Sequence, residues 1–453
     1  MLAVDRVPSV RTELPGPRSR RLLDRQQERE SAARSYPRRL PIALKRGSGC
    51  FVEDEDGNVF IDFLSGAGVL ALGHSHPELV AAVQQQVAVL AHGLDFPTAV
   101  KDDFTGKLLD VMPTSMRQDL RLHFCGPSGA NAVEAAIKLC KKATGRGEVV
   151  AFQGGFHGMT HGAIAASSEG ALRTNLADVM PGVHFLPFGY CHRCPIGLTP
   201  STCETNCATY VERALSGSHT GIGKPAAVLL ELVQGEGGNV VAPRAFVRRV
   251  REVSARLQIP LIVDEVQTGC GRTGRWFAFE HYDIEPDVVV LSKMLSGVGM
   301  PAAVIAYHRR LDTWRPGSHT GTFRGNQLAF AAGAAFLELV ERDGVLGNVR
   351  DRGRQALESL ASVRRAHSGL ISDVRGLGLM IGVEFSRPDG EPWAEAAALV
   401  QRNALRRGLI LEIGGHGDGV VRMLPPLIVD EFIMANAMAL FGEAVDAAAK
   451  ELR

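Results

Sequence analysis

The sequence predicts an α/β protein that has a large, mostly parallel sheet and a smaller α+β domain at its C-terminal end. Five short apolar segments have the composition of buried strands, at residues 148–152, 183–187, 226–233, 260–266 and 287–292. Stretches with helical periodicity separate them, such as ANAVEAAIKLCKKATG. Uninterrupted Val, Ile and Leu strands that alternate with helices are typical of a parallel sheet covered on both faces.

The pattern changes along the chain and predicts four segments. Near Phe336 long helices begin, followed by strand candidates at 379–385, 409–413 and 419–425. Before the large domain, GCFVEDEDGNVFIDF has two alternating runs around a turn at Asp56-Gly57-Asn58, which predicts a hairpin. The predicted segments are a flexible arm over 1–25, an N-terminal part of the small domain over 26–75, the large domain over 76–336 and the C-terminal small domain over 337–453.

The composition excludes several classes of partner. The chain has 453 residues, of which 50 are Lys or Arg and 49 are Asp or Glu, so no strong field attracts nucleic acid or an anionic membrane. The sequence contains no run of eighteen apolar residues, so no membrane-spanning helix is expected, and the N-terminus lacks the apolar stretch of a secretory signal. Eight cysteines in so long a chain favour reduced thiols and a cytoplasmic location.

Two charged residues are expected at the carboxyl ends of strands, where open parallel sheets bind ligands. Asp264 lies in the segment PLIVDEV, and Lys293 follows DVVVLS. Either residue alone is best explained as part of a salt bridge. Together they fit a different chemistry, in which desolvation makes Lys293 a nucleophile that forms an imine with an aldehyde. Asp264 then holds a protonated pyridine nitrogen, so the ring withdraws electrons from a substrate carbanion.

A small-residue loop precedes one of the predicted helices. Cys125-Gly126-Pro127-Ser128-Gly129-Ala130 leads directly into an amphipathic helix near Asn131. Small residues let backbone N–H groups approach an anion, and the helix N-terminus adds partial positive charge. Such a loop alone is usually only a helix cap. Beside the lysine and the aspartate, it predicts a site for the phosphate of the cofactor.

These motifs resemble the class III (omega-amino acid) aminotransferases of the fold-type I superfamily that depends on pyridoxal 5'-phosphate (PLP). The resemblance covers about residue 27 to the C-terminal region and includes FCGPSGANAVEAA, FQGGFHGMTHG, ELVQGEGG, LIVDEVQTGCGRTG, LSKMLSG, HTGTFRGNQLA and VRMLPPL. It implies that Lys293 carries the cofactor and moves the proton, and that Asp264 pairs with the ring nitrogen.

The same resemblance implies roles for the other cofactor contacts. Gln267 is expected to bond the ring hydroxyl, and Phe156 to stack on the ring with His157 beside it. Ser128, Gly129 and Ala130 are expected to hold the phosphate. Thr322 is expected to reach that phosphate from a neighbouring subunit, which implies a homodimer with shared active sites.

The resemblance also suggests the substrates. Arg422 corresponds to the arginine that clamps the α-carboxylate of 2-oxoglutarate and glutamate, and Glu236 to the acid that neutralises it when another amine is bound. RESAARSYPRRLPIALKRGSG and FLSGAGVLALGHSHP are similar to diaminobutyrate–2-oxoglutarate aminotransferases. Asn131 departs from the class pattern, which usually has a glutamate there. Alternatives are an enzyme acting on ornithine, acetylornithine, lysine or GABA, and a non-catalytic PLP-binding protein.

A cysteine-rich loop stands apart from these motifs. Cys191, Cys194, Cys203 and Cys207 lie in YCHRCPIGLTPSTCETNC. Their spacing is compatible with a zinc site, or with disulfides in an oxidising compartment. Similar inserts occur in diaminobutyrate-type relatives, so a structural loop without a catalytic role is the default interpretation, and no metal is predicted for the active site.

Overall fold

The computed structural model describes residues 7–176 and 179–453. The chain divides into two compact units. The first unit combines the segment up to Pro77 with Gly344–Arg453, and the second is Glu78–Asp343. The boundaries predicted from sequence lay after residues 75 and 336. A boundary after residue 336 would cut a continuous helix, Gln327–Arg342, which explains why the observed division lies further along the chain.

The N-terminal part of the first unit contains a helix where a flexible arm was expected. Helix α1 (Pro17–Arg29) begins with Pro at its first position, where the missing N–H costs nothing. The Asp56 carboxylate accepts hydrogen bonds from Arg18 N and Ser19 N, both at 2.8 Å, and so satisfies first-turn donors. The predicted arm over 1–25 is therefore wrong for the helical residues, and residues 1–6 lie outside the described part.

The N-terminal part of the first unit also contains a small antiparallel sheet and two short helices. Strands β1 (Leu44–Ser48), β2 (Phe51–Asp54) and β3 (Val59–Asp62) form antiparallel pairs, which confirms the predicted hairpin around Asp56. Two further short helices are α2 (Tyr36–Arg39) and α3 (Ser65–Gly68), and all four residues of α3 have positive φ.

The second unit is built round a seven-stranded sheet of order β4-β12-β11-β10-β7-β5-β6. The seven strands are β4 (Leu120–Phe124), β5 (Val149–Phe152), β6 (Val183–Leu186), β7 (Ala227–Leu230), β10 (Leu261–Asp264), β11 (Val288–Leu291) and β12 (Val304–His308). Two further strands, β8 (Val233–Gln234) and β9 (Val240–Val241), form a separate hairpin. Only β12 is reversed, since it pairs antiparallel with both β11 and β4. All five strand segments predicted from sequence belong to this sheet, and the predicted α/β class is confirmed.

Helices alternate with the strands of this unit along the chain. They are α4 (Pro77–Val87), α5 (Ala99–Asp110), α6 (Thr114–Arg117), α7 (Gly129–Thr144), α8 (His161–Ala165), α9 (Gly170–Arg173), α10 (Asn206–Ser216), α11 (Arg244–Arg256) and α12 (Gln327–Arg342). Helix α7 matters most for the site, because its first turn follows β4 and its apolar face packs on the sheet core.

The C-terminal part completes the first unit. Its elements are α13 (Val345–Ala366), β13 (Ile371–Leu377), β14 (Met380–Phe385), α14 (Ala394–Arg406), β15 (Leu409–Ile410), β16 (Glu412–Gly414), β17 (Val420–Met423) and α15 (Glu431–Glu451). Strand β15 joins β3 in parallel, and β13-β14-β17-β16 form an antiparallel sheet. Helix α15 is long and apolar enough to cross a membrane, but it packs on α13 and α14 as a core helix of this unit.

Candidate active site

Asp264 ends strand β10 and is buried. Its Oδ2 lies 2.7 Å from His157 Nδ1, and its Oδ1 accepts a hydrogen bond from Val266 N at 3.0 Å. A buried carboxylate is costly unless it is paired and hydrogen-bonded, and both oxygens of Asp264 have protein partners. The side chain is thus fixed in place at the mouth of the sheet.

His157 lies beyond the carboxyl end of β5, and its backbone N–H donates to Ser167 Oγ at 2.8 Å. Burial alone would lower its pKa. The hydrogen bond to Asp264, the charge of Asp264 and the charge of Glu231 outweigh burial and hold the pKa of His157 above its usual value. The imidazolium form is therefore favoured beside Asp264.

Lys293 lies at the same edge of the sheet. The parallel register pairs Asp264 with Val290 of β11, and Lys293 follows three residues later at the start of a 3₁₀ turn, Lys293–Ser296. A hydrogen bond joins the residue before this turn to the segment that leads into β12, since Ser292 Oγ donates to Ala302 O at 2.8 Å. Lys293 has a φ of 38°, in a region that non-glycine residues enter rarely. Backbone strain of this kind clusters at functional sites.

Gln267 is the clearest sign that this site receives a ligand. It is buried, and neither its amide nitrogen nor its amide oxygen has a hydrogen-bond partner within the described chain. Leaving such groups unsatisfied costs free energy, so a native site that does so fits a missing polar partner. The ring hydroxyl that the resemblance assigns to Gln267 is a partner of the required kind.

The loop after β4 supplies donors for an anion. Ser128 is the N-cap of α7, and its exposed side chain accepts from Asn131 N at 3.2 Å. The first N–H groups of a helix have no acceptor within it, so those of Gly129 and Ala130 can serve an anion. A Cβ on Gly129 would lie 2.9 Å from the Val266 side chain, which explains why glycine stands there. These features fit a phosphate group.

A buried acid that sequence reasoning missed organises two of the predicted contacts. Glu231 Oε1 accepts from Phe156 N at 2.8 Å, and its Oε2 accepts from Gly235 N at 3.0 Å. It thereby holds the backbone of Phe156 and the turn that carries Glu236. Burial raises the pKa of Glu231 to about 7. An acid inside the apolar run AAVLLELV was the available signal for it.

Arg422 belongs to the first compact unit. It lies in β17, is fully buried, and its Nη2 is 3.2 Å from Glu412 Oε2 on the neighbouring strand β16. A Cβ on Gly414 would lie 2.9 Å from Arg422 Nε, so the strand leaves space for the guanidinium. Glu412 is a second residue that sequence reasoning missed. Glu236, the predicted neutralising acid, lies in the turn between β8 and β9 of the second unit.

Thr322 and the cysteines complete the predicted residues. Thr322 is exposed at the start of a 3₁₀ turn, and its carbonyl accepts from His92 Nε2 at 2.7 Å. The four clustered cysteines are free thiols, and burial raises the pKa of Cys207 to about 11. Within residues 7–176 and 179–453, no three His, Cys, Asp or Glu side chains are arranged to hold a metal ion.

The strand-end site, with its buried Asp264 and Gln267 and the helix N-terminus after β4, has features that fit a polar ligand carrying an anionic group. The sequence profile of the family "Aminotransferase class-III" matches residues 32–445, and the chain belongs to this family of pyridoxal-phosphate enzymes. The predictions of the family, of an aminotransferase and of its cofactor are thus confirmed.

Several known proteins are similar over most of their length. A "Diaminobutyrate--2-oxoglutarate aminotransferase" of Rhizobium meliloti (strain 1021) is 48% identical over 419 residues, covering 90% of this chain and 89% of the relative. An enzyme with the same name from Haemophilus influenzae is 42% identical over 441 residues, covering 95% and 96%. The crystal structure of a Bacillus anthracis aminotransferase superposes with a TM-score of 0.85 at 24% identity, over 95% of this chain and 98% of that one, which shows the shared fold.

Proposed function

We propose that this chain is a diaminobutyrate–2-oxoglutarate transaminase, which moves the terminal amino group between 2,4-diaminobutyrate and 2-oxoglutarate. The products are aspartate semialdehyde and glutamate, and the reverse direction uses the same residues. The observation that carries the proposal is the identity of 48% and 42% to two enzymes named for this reaction, each nearly full-length.

The second unit would hold the cofactor. PLP supplies an electron-withdrawing ring that stabilises negative charge on the substrate carbon bearing nitrogen. Asp264, held by His157, would pair with the ring nitrogen, Gln267 would bond the ring hydroxyl, and Phe156 would pack against the ring. Lys293 would hold the cofactor covalently, and its amine, once released, would take a proton from the substrate carbon that bears nitrogen and deliver it to the cofactor carbon. Ser128, Gly129 and Ala130 would hold the phosphate.

Arg422 and Glu236 would handle two different substrates in turn. The guanidinium fork of Arg422 binds the α-carboxylate of 2-oxoglutarate or glutamate in a bidentate manner. When the terminal amine of diaminobutyrate reacts, the carbon that bears it carries no carboxylate, and Glu236 would supply the compensating negative charge. Glu412 lies beside Arg422 in the same small sheet, with 3.2 Å between Arg422 Nη2 and Glu412 Oε2, and would orient the guanidinium.

We further propose a cytoplasmic homodimer with shared active sites, in which Thr322 reaches the partner's phosphate. Exposed apolar side chains support this, because Phe323 is 68% exposed, and Val89 and Phe96, in the segment that bonds to residues 322–325 through His92 and Gly93, are 81% and 67% exposed. Phe323 follows Thr322 directly and lies edge-on to His92 at 6.1 Å between ring centroids. Exposed apolar patches of this kind mark contact surfaces. Phe323→Asp is expected to shift the mass measured by light scattering from dimer to monomer, whereas an unchanged mass would contradict this interface.

The deciding experiment is a spectral screen of half-reactions on the purified enzyme loaded with PLP. Diaminobutyrate and glutamate should convert the lysine-bound cofactor far faster than ornithine, acetylornithine, lysine or GABA. Fast conversion by one of those amines would overturn the substrate but keep the class. No conversion by any amine would indicate a non-catalytic PLP-binding protein.

A matched pair of lysine variants locates the chemistry. Borohydride reduction and peptide mass mapping should attach the cofactor to Lys293. Lys293→Ala should lose the reaction, whereas Lys142→Ala, at an exposed lysine of α7, should leave it unchanged. Attachment at another lysine would contradict the assignment.

A further inference from the structure

Asn131 closes the phosphate-binding loop at both ends. It lies in the first turn of α7, and its Oδ1 accepts a hydrogen bond from Gly126 N at 2.8 Å. Its own backbone N–H donates to Ser128 Oγ at 3.2 Å. The residues between these two bonds, Pro127 to Ala130, include the three that are proposed to hold the phosphate. Their backbone direction therefore depends on where the Asn131 side chain is held.

His319 holds that side chain from another part of the chain. Its Nε2 lies 3.1 Å from Asn131 Oδ1, and its Nδ1 lies 3.1 Å from Lys138 Nζ. A lysine ammonium group can only donate, so Nδ1 accepts from Lys138. Nε2 must then carry the hydrogen and donate to the Asn131 oxygen, which itself only accepts. The two contacts together define a neutral imidazole in one tautomer.

The electrostatic surroundings favour this neutral form. Burial and the charge of Lys138 lower the pKa of His319, and Arg324 acts in the same direction. Glu134, one turn after Asn131 on α7, acts in the opposite direction but does not prevail. Because Asn131 and His319 are both uncharged, the network adds no negative charge beside the first-turn N–H groups.

We propose that Asn131 and His319 are positioning residues for the cofactor phosphate, and that they hold the loop Gly126–Ala130 in its anion-binding shape. The inference rests on the proposed function, because the anion is taken to be the phosphate of PLP. It assigns a role to two residues outside the predicted contacts. It also ties this loop to the segment 319–322, which ends at Thr322.

The test compares two cofactor forms that differ only in the phosphate. Apoenzyme is titrated with PLP and with pyridoxal, and both dissociation constants are read from the absorbance of the lysine-bound form. Asn131→Ala and His319→Ala should each weaken PLP binding about tenfold, as expected when bonds that hold the loop are lost. Pyridoxal binding should stay within about twofold, since it makes no phosphate contact.

A conservative variant and a matched control sharpen the result. His319→Gln can accept from Lys138 and donate to Asn131, so it should restore PLP affinity to within about threefold of wild type. Asn206→Ala removes an exposed asparagine from the first turn of α10 and should change neither constant. If Asn131→Ala does not fold, as judged by the melting temperature of the apoenzyme, the comparison of His319→Ala with His319→Gln decides.

Two outcomes would overturn the inference. Equal loss of PLP and pyridoxal affinity would indicate general damage to the site, and unchanged PLP affinity would show that the loop needs neither residue. Failure of the proposed function is distinguishable from both. The proposed substrate is tested by the half-reactions with amines, and its failure would leave the PLP and pyridoxal constants of the wild type and the variants as expected, because those constants involve no amine substrate.

Discussion

Four buried glutamates, two in each compact unit, are stabilised in different ways. The two in the first unit have arginine partners: Glu384 Oε2 lies 2.6 Å from Arg375 Nη1, and Glu412 pairs with Arg422. In the second unit, Glu265 accepts from the Thr268 hydroxyl and from Phe279 N, and the described part of the chain shows no lysine or arginine ion pair on it.

The consequence appears in the proton affinity of these acids. Burial raises the pKa of both Glu231 and Glu265 to about 7, because hydrogen-bond donors compensate only part of the lost hydration. Glu384 and Glu412 thus have fixed counter-charges. Glu231 and Glu265 are acids whose charge responds to protons near neutral pH.

The largest expected effect comes from removing the charge at the mouth of the sheet. Asp264→Asn should lower kcat/KM by about a thousandfold, the scale found when a preorganised electrostatic contact in an active site is lost. The fold should remain intact, because the amide fills the same space. Asp283→Asn, at an exposed aspartate of the same unit, is the control. Activity close to wild type would show that Asp264 is merely structural.

Breaking an ion pair of the first unit should instead cost stability. Arg375→Met leaves Glu384 buried without its cation, and we expect denaturant unfolding to show a loss of about 3–5 kcal/mol. Removing both charges in Arg375→Met/Glu384→Gln should recover most of that loss. If the single variant is as stable as wild type, the first unit does not depend on its counter-charges and the comparison fails.

Glu265 should make stability depend on pH with a definite sign. Its pKa in the folded protein, about 7, exceeds the usual 4.5, so the folded state binds the proton more tightly between these values. The contribution of this group should therefore fall as pH rises from 4.5 to 7, by about 3 kcal/mol. In Glu265→Gln, the free energy of unfolding, measured by denaturant at each pH, should vary less between pH 4.5 and 7 than in the wild type. Glu285→Gln, at an exposed position, should keep the wild-type slope.

The smallest effect is expected for exchanging one cation for another at Arg422. Arg422→Lys keeps a positive charge for Glu412 but loses the bidentate fork, so KM for 2-oxoglutarate should rise about tenfold. KM for diaminobutyrate should change little, since Arg422 is proposed to bind the α-carboxylate of 2-oxoglutarate or glutamate and no carboxylate of diaminobutyrate. Equal increases in both constants would argue against a carboxylate clamp.

The sequence was most informative where local pattern and sheet geometry act together. Asp264 and Lys293 could be expected at one edge, because the carboxyl ends of neighbouring parallel strands meet there. The partners of these residues could not be expected in the same way. His157 lies 107 positions from Asp264, and Asp56 caps α1 from 37 positions beyond Ser19. Contacts this distant leave no periodic trace in a single sequence.

The partner of Arg422 shows a second limit. Glu412 faces it because of the antiparallel register of β16 and β17, which a one-residue slip would abolish. Helix α1 itself was missed for a similar reason: a charged, proline-containing segment looks unstructured in the sequence, and the Asp56 carboxylate that caps the helix lies far along the chain. Family resemblance supplied roles for Gln267 and Thr322, but only the structure revealed the buried, unpartnered amide of Gln267.

The single reversed strand β12 has a consequence for how the protein assembles. Residues 292–303 join β11 to β12 in a local hairpin that includes Lys293, and such hairpins form early because loop closure is cheap. In the seven-stranded sheet, the edge strand β4 pairs with β12, about 180 positions away, and leads directly into the loop Gly126–Ala130. We expect nascent chains to acquire the hairpin that includes Lys293 first and this loop late. Pulse-labelled hydrogen exchange during refolding should then protect β11 before β4, and the reverse order would refute this sequence of events.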